Sequence, residues 1–140
     1  MHRIFMIILS FIFLLLAIAV YYTLTITNKK EKYEDAKLKV MLFYATWCPH
    51  CERYLESGKY KEFEETLTKK YNGVVFYKYD YDKNQVIGDK YKVNSFPTIL
   101  AEDSKGNTYR FYGDRMKETH VELFVKKALS GEEVSRDHFN

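Results

Sequence analysis

The chain has 140 residues, of which 46% are hydrophobic, and its formal net charge of +3 arises from 22 basic and 19 acidic side chains. No run of like charge is long enough to indicate a nucleic-acid partner. Two cysteines are too few for a disulfide scaffold or a four-ligand structural zinc site, so we expect no metal, and redox chemistry is the best use of the pair.

Residues 4–26 form an apolar segment whose only polar side chains carry hydroxyl groups. About twenty apolar residues suffice to cross a bilayer as a helix, so we predict a single transmembrane anchor, followed by a polar tether at residues 27–37. A cleavable signal peptide is the alternative, because Ala17-Ile18-Ala19 resembles a cleavage site. Against cleavage, the hydrophobic stretch continues beyond these three residues to Ile26.

Strand and helix patterns follow the tether. Residues 40–45 read as a buried strand, and residues 48–70 as a helix interrupted near Ser57-Gly58. Its core face is predicted to carry Tyr60, Phe63, Leu67 and Tyr71, which recur at helical spacing. Asn72-Gly73 ends this helix.

The second half of the chain continues the alternation. Residues 74–80 read as a strand with apolar side chains on both faces, as in the middle of a sheet. We then predict a short helix at residues 84–91, a hairpin of strands 98–101 and 108–112, a closing helix at 117–129, and a frayed polar tail at 131–140.

The sequence Trp47-Cys48-Pro49-His50-Cys51 lies where the first strand gives way to the first helix after the tether. The free N–H groups and the dipole at a helix N-terminus stabilise an anion, which favours the Cys48 thiolate and lowers its pKa. Cys51, one turn further, should be more buried. We therefore predict that Cys48 attacks and that Cys51 resolves. A haem attachment site is excluded because Glu52, and not histidine, follows the pair.

Three segments resemble the thioredoxin superfamily. Residues 40–51 resemble its active-site strand and helix start, and residues 91–98 resemble its cis-proline segment. Residues 112–115 resemble a strand end of protein disulfide isomerase domains. The resemblance implies an α/β fold for residues 38–130. This would be a minimal thioredoxin fold of order β-α-β-α-β-β-α, with a mixed central sheet and helices on both faces. The first strand and helix of the family are expected to be missing.

The resemblance also implies residue roles. Pro97 should be cis and, with Phe96 and Trp47, should bind the substrate, while Arg115 and Lys78 should help Cys51 to ionise. Pro49 and a protonated His50 should tune the Cys48 pKa. The Pro-His dipeptide is shared with the strongly oxidising enzyme DsbA, and no cofactor is needed.

One position departs from the family pattern. Leu42 stands where family members carry a buried acid that relays a proton for the second cysteine. Without that acid, Cys51 lacks the usual base for its release step.

These observations predict a membrane-tethered thiol-disulfide oxidoreductase that exchanges disulfides with protein thiols and with an unidentified redox partner, on the non-cytosolic side. Two alternatives stay open. Lysines that follow the anchor favour a cytosol-facing, thioredoxin-like reductant by the positive-inside rule. Leu42 in place of the acid favours a redox-inert adaptor that uses the fold to bind a partner protein.

Overall fold

The computed structural model describes residues 2–34 and 36–140, and it divides the chain into two units, Met1–Asp35 and Ala36–Asn140. Helix α1 of the first unit runs over His2–Glu34. Its segment Met6–Ile26 has a mean hydropathy of 2.6 and is exposed throughout, so by length and composition it can cross a membrane or act as a signal sequence. The predicted apolar helix is therefore confirmed. The predicted tether is helical as far as Glu34, and Asp35 lies outside the described residues.

The second unit confirms the predicted thioredoxin fold. The helix predicted at residues 48–70 is divided into two helices at the expected break near Ser57-Gly58, and every other predicted element is present. In chain order, the elements are β1 (Leu38–Tyr44), α2 (Pro49–Glu56), α3 (Lys59–Lys70), β2 (Val74–Asp80), α4 (Gln85–Lys90), β3 (Thr98–Asp103), β4 (Thr108–Arg110) and α5 (Glu118–Ser130), with short 3-10 turns at Tyr81–Lys83 and Arg136–Phe139.

The four strands form one mixed sheet in the order β2-β1-β3-β4. Strand β1 is central, parallel to β2 and antiparallel to β3. The expectation that residues 74–80 lie in the middle of the sheet is wrong, because within the described residues β2 is an edge strand. Its side chains are nevertheless apolar on both faces, since Phe76 packs in one core cluster and Tyr77 and Tyr79 pack against the other.

Each face of the sheet has its own core. On one face, Leu38, Val40 and Leu42 of β1 join apolar residues of α3 and α5. On the other face, Met41 and Phe43 join a smaller cluster with residues of the α4 region. Burying one large apolar side chain contributes about 1.5–3 kcal/mol, so the two clusters hold β1, and the segment that follows it, in a fixed position.

The break between α2 and α3 follows the local sequence. Gly58 adopts φ 69°, a left-handed conformation that residues other than glycine rarely take, and it forms the N-cap of α3. Tyr60, Phe63 and Leu67 are buried on the predicted core face, whereas Tyr71, half-buried, is the C-cap of the helix.

The C-terminal residues have the predicted polar composition, but the expectation that they fray is wrong. Val134 is only 7% exposed and belongs to the main core. The Phe139 ring lies 5.3 Å from the Phe111 ring, and a reciprocal capping box between Ser135 and His138 closes the last 3-10 turn. Two apolar anchors in a polar segment therefore suffice to dock it.

Candidate active site

Cys48 lies at the carboxyl end of the central strand and forms the N-cap of α2. Its backbone is extended, with φ −93° and ψ 114°, and Pro49 begins the helix, as predicted for a proline at a helix start. The Cys48 side chain is 8% exposed and packs with Ala45 and Cys51. Cys48 is therefore buried but keeps a small exposed surface, which Cys51 lacks. Both thiols are free in this structure.

Several groups favour the Cys48 thiolate. The backbone N–H of Cys51 contributes most to lowering the Cys48 pKa, and the Cys51 thiol, the backbone N–H of His50 and the charge of Arg115 lower it further, against the opposing effect of burial. The helix start therefore supplies the donors that the sequence predicted. The side chain of His50 is exposed, and its Nδ1 accepts a hydrogen bond of 2.9 Å from Arg53 Nη2, so a contribution from protonated His50 stays a prediction.

Cys51 has the opposite character. Its side chain is fully buried, and burial, the largest cause, raises the pKa of the Cys51 thiol to about 11, with the Cys48 sulfur adding to the shift. The Arg115 charge opposes this shift. At neutral pH, Cys51 is therefore protonated, whereas the pKa of Cys48 is lowered, so the two thiols differ in acidity.

The segment before β3 faces the Cys48 sulfur. The Phe96–Pro97 peptide bond is cis, and Cys48 Sγ donates a hydrogen bond of 3.7 Å to the Phe96 carbonyl oxygen. Thr98 fastens the segment by donating from Oγ1 to the Ser95 carbonyl oxygen at 2.7 Å. The structure thus brings Phe96 and Pro97 together with the thiol pair.

Trp47, Phe96 and Tyr81 form an aromatic platform beside the thiol. Trp47 is 66% exposed and stands edge-on to the Phe96 ring at 5.9 Å, while the Tyr81 ring lies 4.9 Å from the Phe96 ring. Tyr81 was not identified from the sequence. A signal was available, since Tyr81 directly follows β2, and the carboxyl ends of the parallel strands β1 and β2 meet at one edge of the sheet.

The two predicted basic residues occupy different places. Arg115 is half-buried, and its guanidinium lies 6.0 Å from the Tyr54 ring, close enough for its charge to lower the pKa of both cysteines. Lys78 is exposed on β2. In the described part of the chain, no hydrogen bond or ion pair links Lys78 to either cysteine.

The position at which the resemblance leads us to expect a buried acid is apolar. Leu42 is completely buried in the main core. Tyr54, one turn after Cys51 on the buried face of α2, was not identified from the sequence. Burial raises its pKa, and its hydroxyl has no hydrogen-bond partner among the described residues. The three-residue spacing from Cys51 was the available signal.

Among the residues that the structure describes, no three His, Cys, Asp or Glu side chains cluster closely enough to hold a metal ion.

Comparison with known proteins places this geometry in context. The family model described as Thioredoxin matches residues 20–127. Human protein disulfide-isomerase A4 is 35% identical over 99 residues, which cover 66% of this chain and 14% of that protein. Thioredoxin H5 of Arabidopsis thaliana is 38% identical over 81 residues, covering 56% of this chain and 64% of that protein. The chain therefore matches only a small part of the isomerase.

A solved structure has the same fold. The first thioredoxin domain of mouse protein disulfide-isomerase A4 superposes with a TM-score of 0.63 at 22% sequence identity, covering 78% of this chain and 75% of that domain.

Proposed function

The chain belongs to the thioredoxin family, whose members are thiol-disulfide oxidoreductases, and from that premise we propose that it is a membrane-tethered enzyme that exchanges disulfides with protein thiols through Cys48 and Cys51. The observation that carries the proposal is the asymmetry of the pair. A slightly exposed thiol with a lowered pKa faces cis-Pro97, and a fully buried thiol with a raised pKa lies behind it.

The first step of reduction uses the Cys48 thiolate. It attacks one sulfur of a substrate disulfide, the substrate S–S bond breaks, and a mixed disulfide forms while the other substrate sulfur leaves as a thiolate and takes a proton. The aromatic platform and the Phe96–Pro97 backbone hold the substrate chain next to the sulfur. A lowered pKa increases the fraction of Cys48 that is thiolate at a given pH, and the same stabilisation makes it a better leaving group.

The second step uses Cys51. After it loses its proton, the Cys51 thiolate attacks Cys48 Sγ, the mixed disulfide breaks, and the second substrate sulfur leaves as a thiol. Two electrons have then passed from the pair to the substrate, together with one proton from Cys51 and one from solvent, and Cys48 and Cys51 are joined. Run backwards, the same steps oxidise a substrate dithiol and leave the pair reduced.

Disulfide donation on the non-cytosolic side is the direction we propose. Groups that stabilise the Cys48 thiolate stabilise the reduced pair and so make the oxidised pair a stronger oxidant, and the Pro49-His50 dipeptide agrees with that direction. A protein oxidant must then restore the disulfide. A reduction potential near −120 mV would support donation, whereas a value near −270 mV would overturn it in favour of a cytosol-facing reductant.

A trapping experiment tests the proposed exchange. In a Cys51→Ala variant the mixed disulfide cannot be resolved, so protein partners should accumulate on Cys48 and be released by dithiothreitol. Cys48→Ala is the matched control and should trap none. Both species are read by non-reducing electrophoresis and mass spectrometry. If Cys51→Ala also traps none while partner proteins still bind without a covalent link, the chain is an adaptor and the proposal is wrong.

A labelling experiment tests the tether and its orientation. In intact membranes treated with a membrane-impermeant reductant, which opens a Cys48–Cys51 disulfide on that side, an impermeant maleimide should label the thiols without detergent if the domain is on the non-cytosolic side. Labelling that requires detergent would place the domain in the cytosol. The mass of the membrane-bound chain separates the anchor from a signal peptide, because cleavage would remove the apolar segment Met6–Ile26 or most of it.

A further inference from the structure

A basic cleft of about 410 Å³ opens next to cis-Pro97. Pro97 and Thr98 line one end, Ile99 and Phe111 contribute apolar surface, and three arginines project from different parts of the chain: Arg110, Arg115 and Arg136. We call it the arginine cleft. Its volume suits a short peptide segment better than a folded element.

The charge of the arginine cleft is uncompensated. Among the residues that the structure describes, no Asp or Glu lines it, and none of its three arginines has an acidic partner within 4.0 Å. By contrast, Lys61 and Lys70 of α3 and Lys126 of α5 each form an ion pair. Asp114 and Glu133 line two neighbouring clefts, which share Arg115 and Arg110, respectively, with the arginine cleft. A concave site with a single sign of charge raises the local concentration of ligands of the opposite sign.

Local contacts hold the arginines in place. Arg110 is half-buried on β4, and the Arg136 guanidinium lies 5.7 Å from the Tyr112 ring. The docked tail positions Arg136, because Phe139 of the same 3-10 turn packs on Phe111. Gly113 makes this docking possible, since a Cβ at that position would lie 2.6 Å from Phe139 Cδ1.

The position of the cleft identifies its occupant. Pro97 lines the cleft and follows Phe96, whose carbonyl oxygen lies 3.7 Å from Cys48 Sγ, so a substrate chain bound at Cys48 and extending past Pro97 would reach the cleft. Arginine forms paired hydrogen bonds with carboxylates, and the anionic groups along an unmodified polypeptide are the carboxylates of Asp and Glu. Arg115 connects the cleft to the thiols, since its charge also acts on Cys48 and Cys51.

We propose that the arginine cleft binds an acidic segment adjacent to the reacting cysteine of the protein substrate, and that Arg110 and Arg136 determine this specificity. The inference rests on the proposed thiol-disulfide exchange, because the substrate must be anchored at Cys48. Arg115 is left out of the test variants because it also influences the thiols.

The test uses the reduced full-length chain in detergent and three synthetic disulfide peptides whose cysteines are flanked by Asp-Glu, Asn-Gln or Lys-Lys. The rate of peptide reduction is measured by acid quench and mass spectrometry. Each rate is divided by the rate of the same peptide with dithiothreitol, which removes differences in intrinsic disulfide reactivity. We expect the acidic peptide to react about tenfold faster than the basic one, and the ratio to fall as salt is added.

Matched variants assign the preference to the cleft. Arg110→Gln/Arg136→Gln should bring the acidic-to-basic ratio close to one, and the exposed Arg136→Gln alone should lower it part of the way. Lys69→Gln/Lys105→Gln removes the same net charge at exposed positions outside the cleft and should leave the ratio unchanged. Phe139→Ala, which frees the tail, should act like Arg136→Gln.

Three results would overturn the inference: a ratio near one in the unmodified chain, a ratio that survives the double arginine variant, or an equal loss in the lysine control, which would assign the preference to net charge. If all three peptides are reduced at the same normalised rate, only the acidic preference is refuted and the proposed exchange stands. If no peptide is reduced at all, the proposed exchange fails as well.

Discussion

Release of the substrate by Cys51 is expected to accelerate steeply as the pH rises. Only the thiolate of Cys51 can attack the mixed disulfide on Cys48, and burial keeps Cys51 protonated near neutral pH. The apolar Leu42 lies where a proton-accepting acid would otherwise be expected. Each pH unit should therefore increase the reactive fraction of Cys51 about tenfold.

The magnitude follows from the pKa. With the pKa of Cys51 at about 11, roughly one molecule in 10⁴ carries the thiolate at pH 7. In the mixed disulfide the Cys48 charge is gone, but burial, the largest cause of the raised Cys51 pKa, remains. For a thiol whose pKa is raised above 9.0, the thiolate fraction grows about tenfold per pH unit from pH 6 to pH 8.

Rapid mixing measures this step directly. The reduced chain is mixed with a neutral peptide disulfide at pH 6, 7 and 8, the reaction is quenched with acid, and the mixed disulfide and the released peptide are quantified by mass spectrometry. The decay rate of the mixed disulfide should rise about a hundredfold over this range. In Cys51→Ala, the mixed disulfide should persist at every pH. Its formation by Cys48 should depend less on pH, because the Cys48 pKa is lowered.

A release rate that stays constant from pH 6 to pH 8 would refute the reasoning. It would mean that a group close to Cys51 accepts the proton during the attack, so that burial does not limit the step. If the release rate of Arg115→Met is also constant from pH 6 to pH 8, the Arg115 charge is excluded as the cause of the missing pH dependence.

Three further changes have defined outcomes. Arg115→Met should move the midpoint of Cys48 alkylation by iodoacetamide to higher pH, because the positive charge that it removes stabilises the thiolate. Arg115→Lys keeps a positive charge and should reverse most of this shift. Gly88→Ala places a Cβ 2.5 Å from Tyr81 Cε2, so the ring must leave the aromatic platform. Peptide reduction should slow, and the free energy of unfolding should fall by about 1 kcal/mol, since overpacking outweighs the gain in helix propensity; unchanged kinetics would contradict a role for Tyr81. Glu122, whose pKa is lowered to about 2 by hydrogen bonds from a tyrosine and two lysines, stabilises the fold above its unfolded pKa of about 4.3 and loses that effect as the pH falls towards 2. Glu122→Gln should therefore lower the unfolding free energy by about 1 kcal/mol at pH 7, after allowance for solvent screening, with the difference vanishing near pH 2 in urea titrations.

Much of the fold was predictable because its signals are local. Proline at a helix start, glycine at the left-handed break between α2 and α3, and the turn residues between β3 and β4 each act within a few positions of the chain. Periodic apolar residues then identified the helices and strands. The thiol pair was predictable for the same reason, since Cys48 and Cys51 obtain their positions from one helix start.

Long-range pairing decided what the sequence could not. The two-sided apolar pattern of residues 74–80 indicates burial on both faces, and it does not distinguish a central strand from an edge strand covered by helices on both faces. Only the strand order made β2 an edge. Likewise, Val134 and Phe139 are isolated apolar residues in a polar tail, and their anchoring became evident only when the surface of Phe111 was in place.

The amino-acid sequence by itself determined the chemistry: which sulfur begins the helix, which sulfur lies one turn inside it, and which proline can face them. Tertiary structure decided the environment of that chemistry. Tyr81 joined the platform, Arg115 came close enough for its charge to act on both thiols, and the arginine cleft was assembled from residues far apart in the chain. The physical reason is that the acidity of a thiol and the charge of a cleft depend on distances through space, and these distances exist only after the strands have paired and the tail has docked.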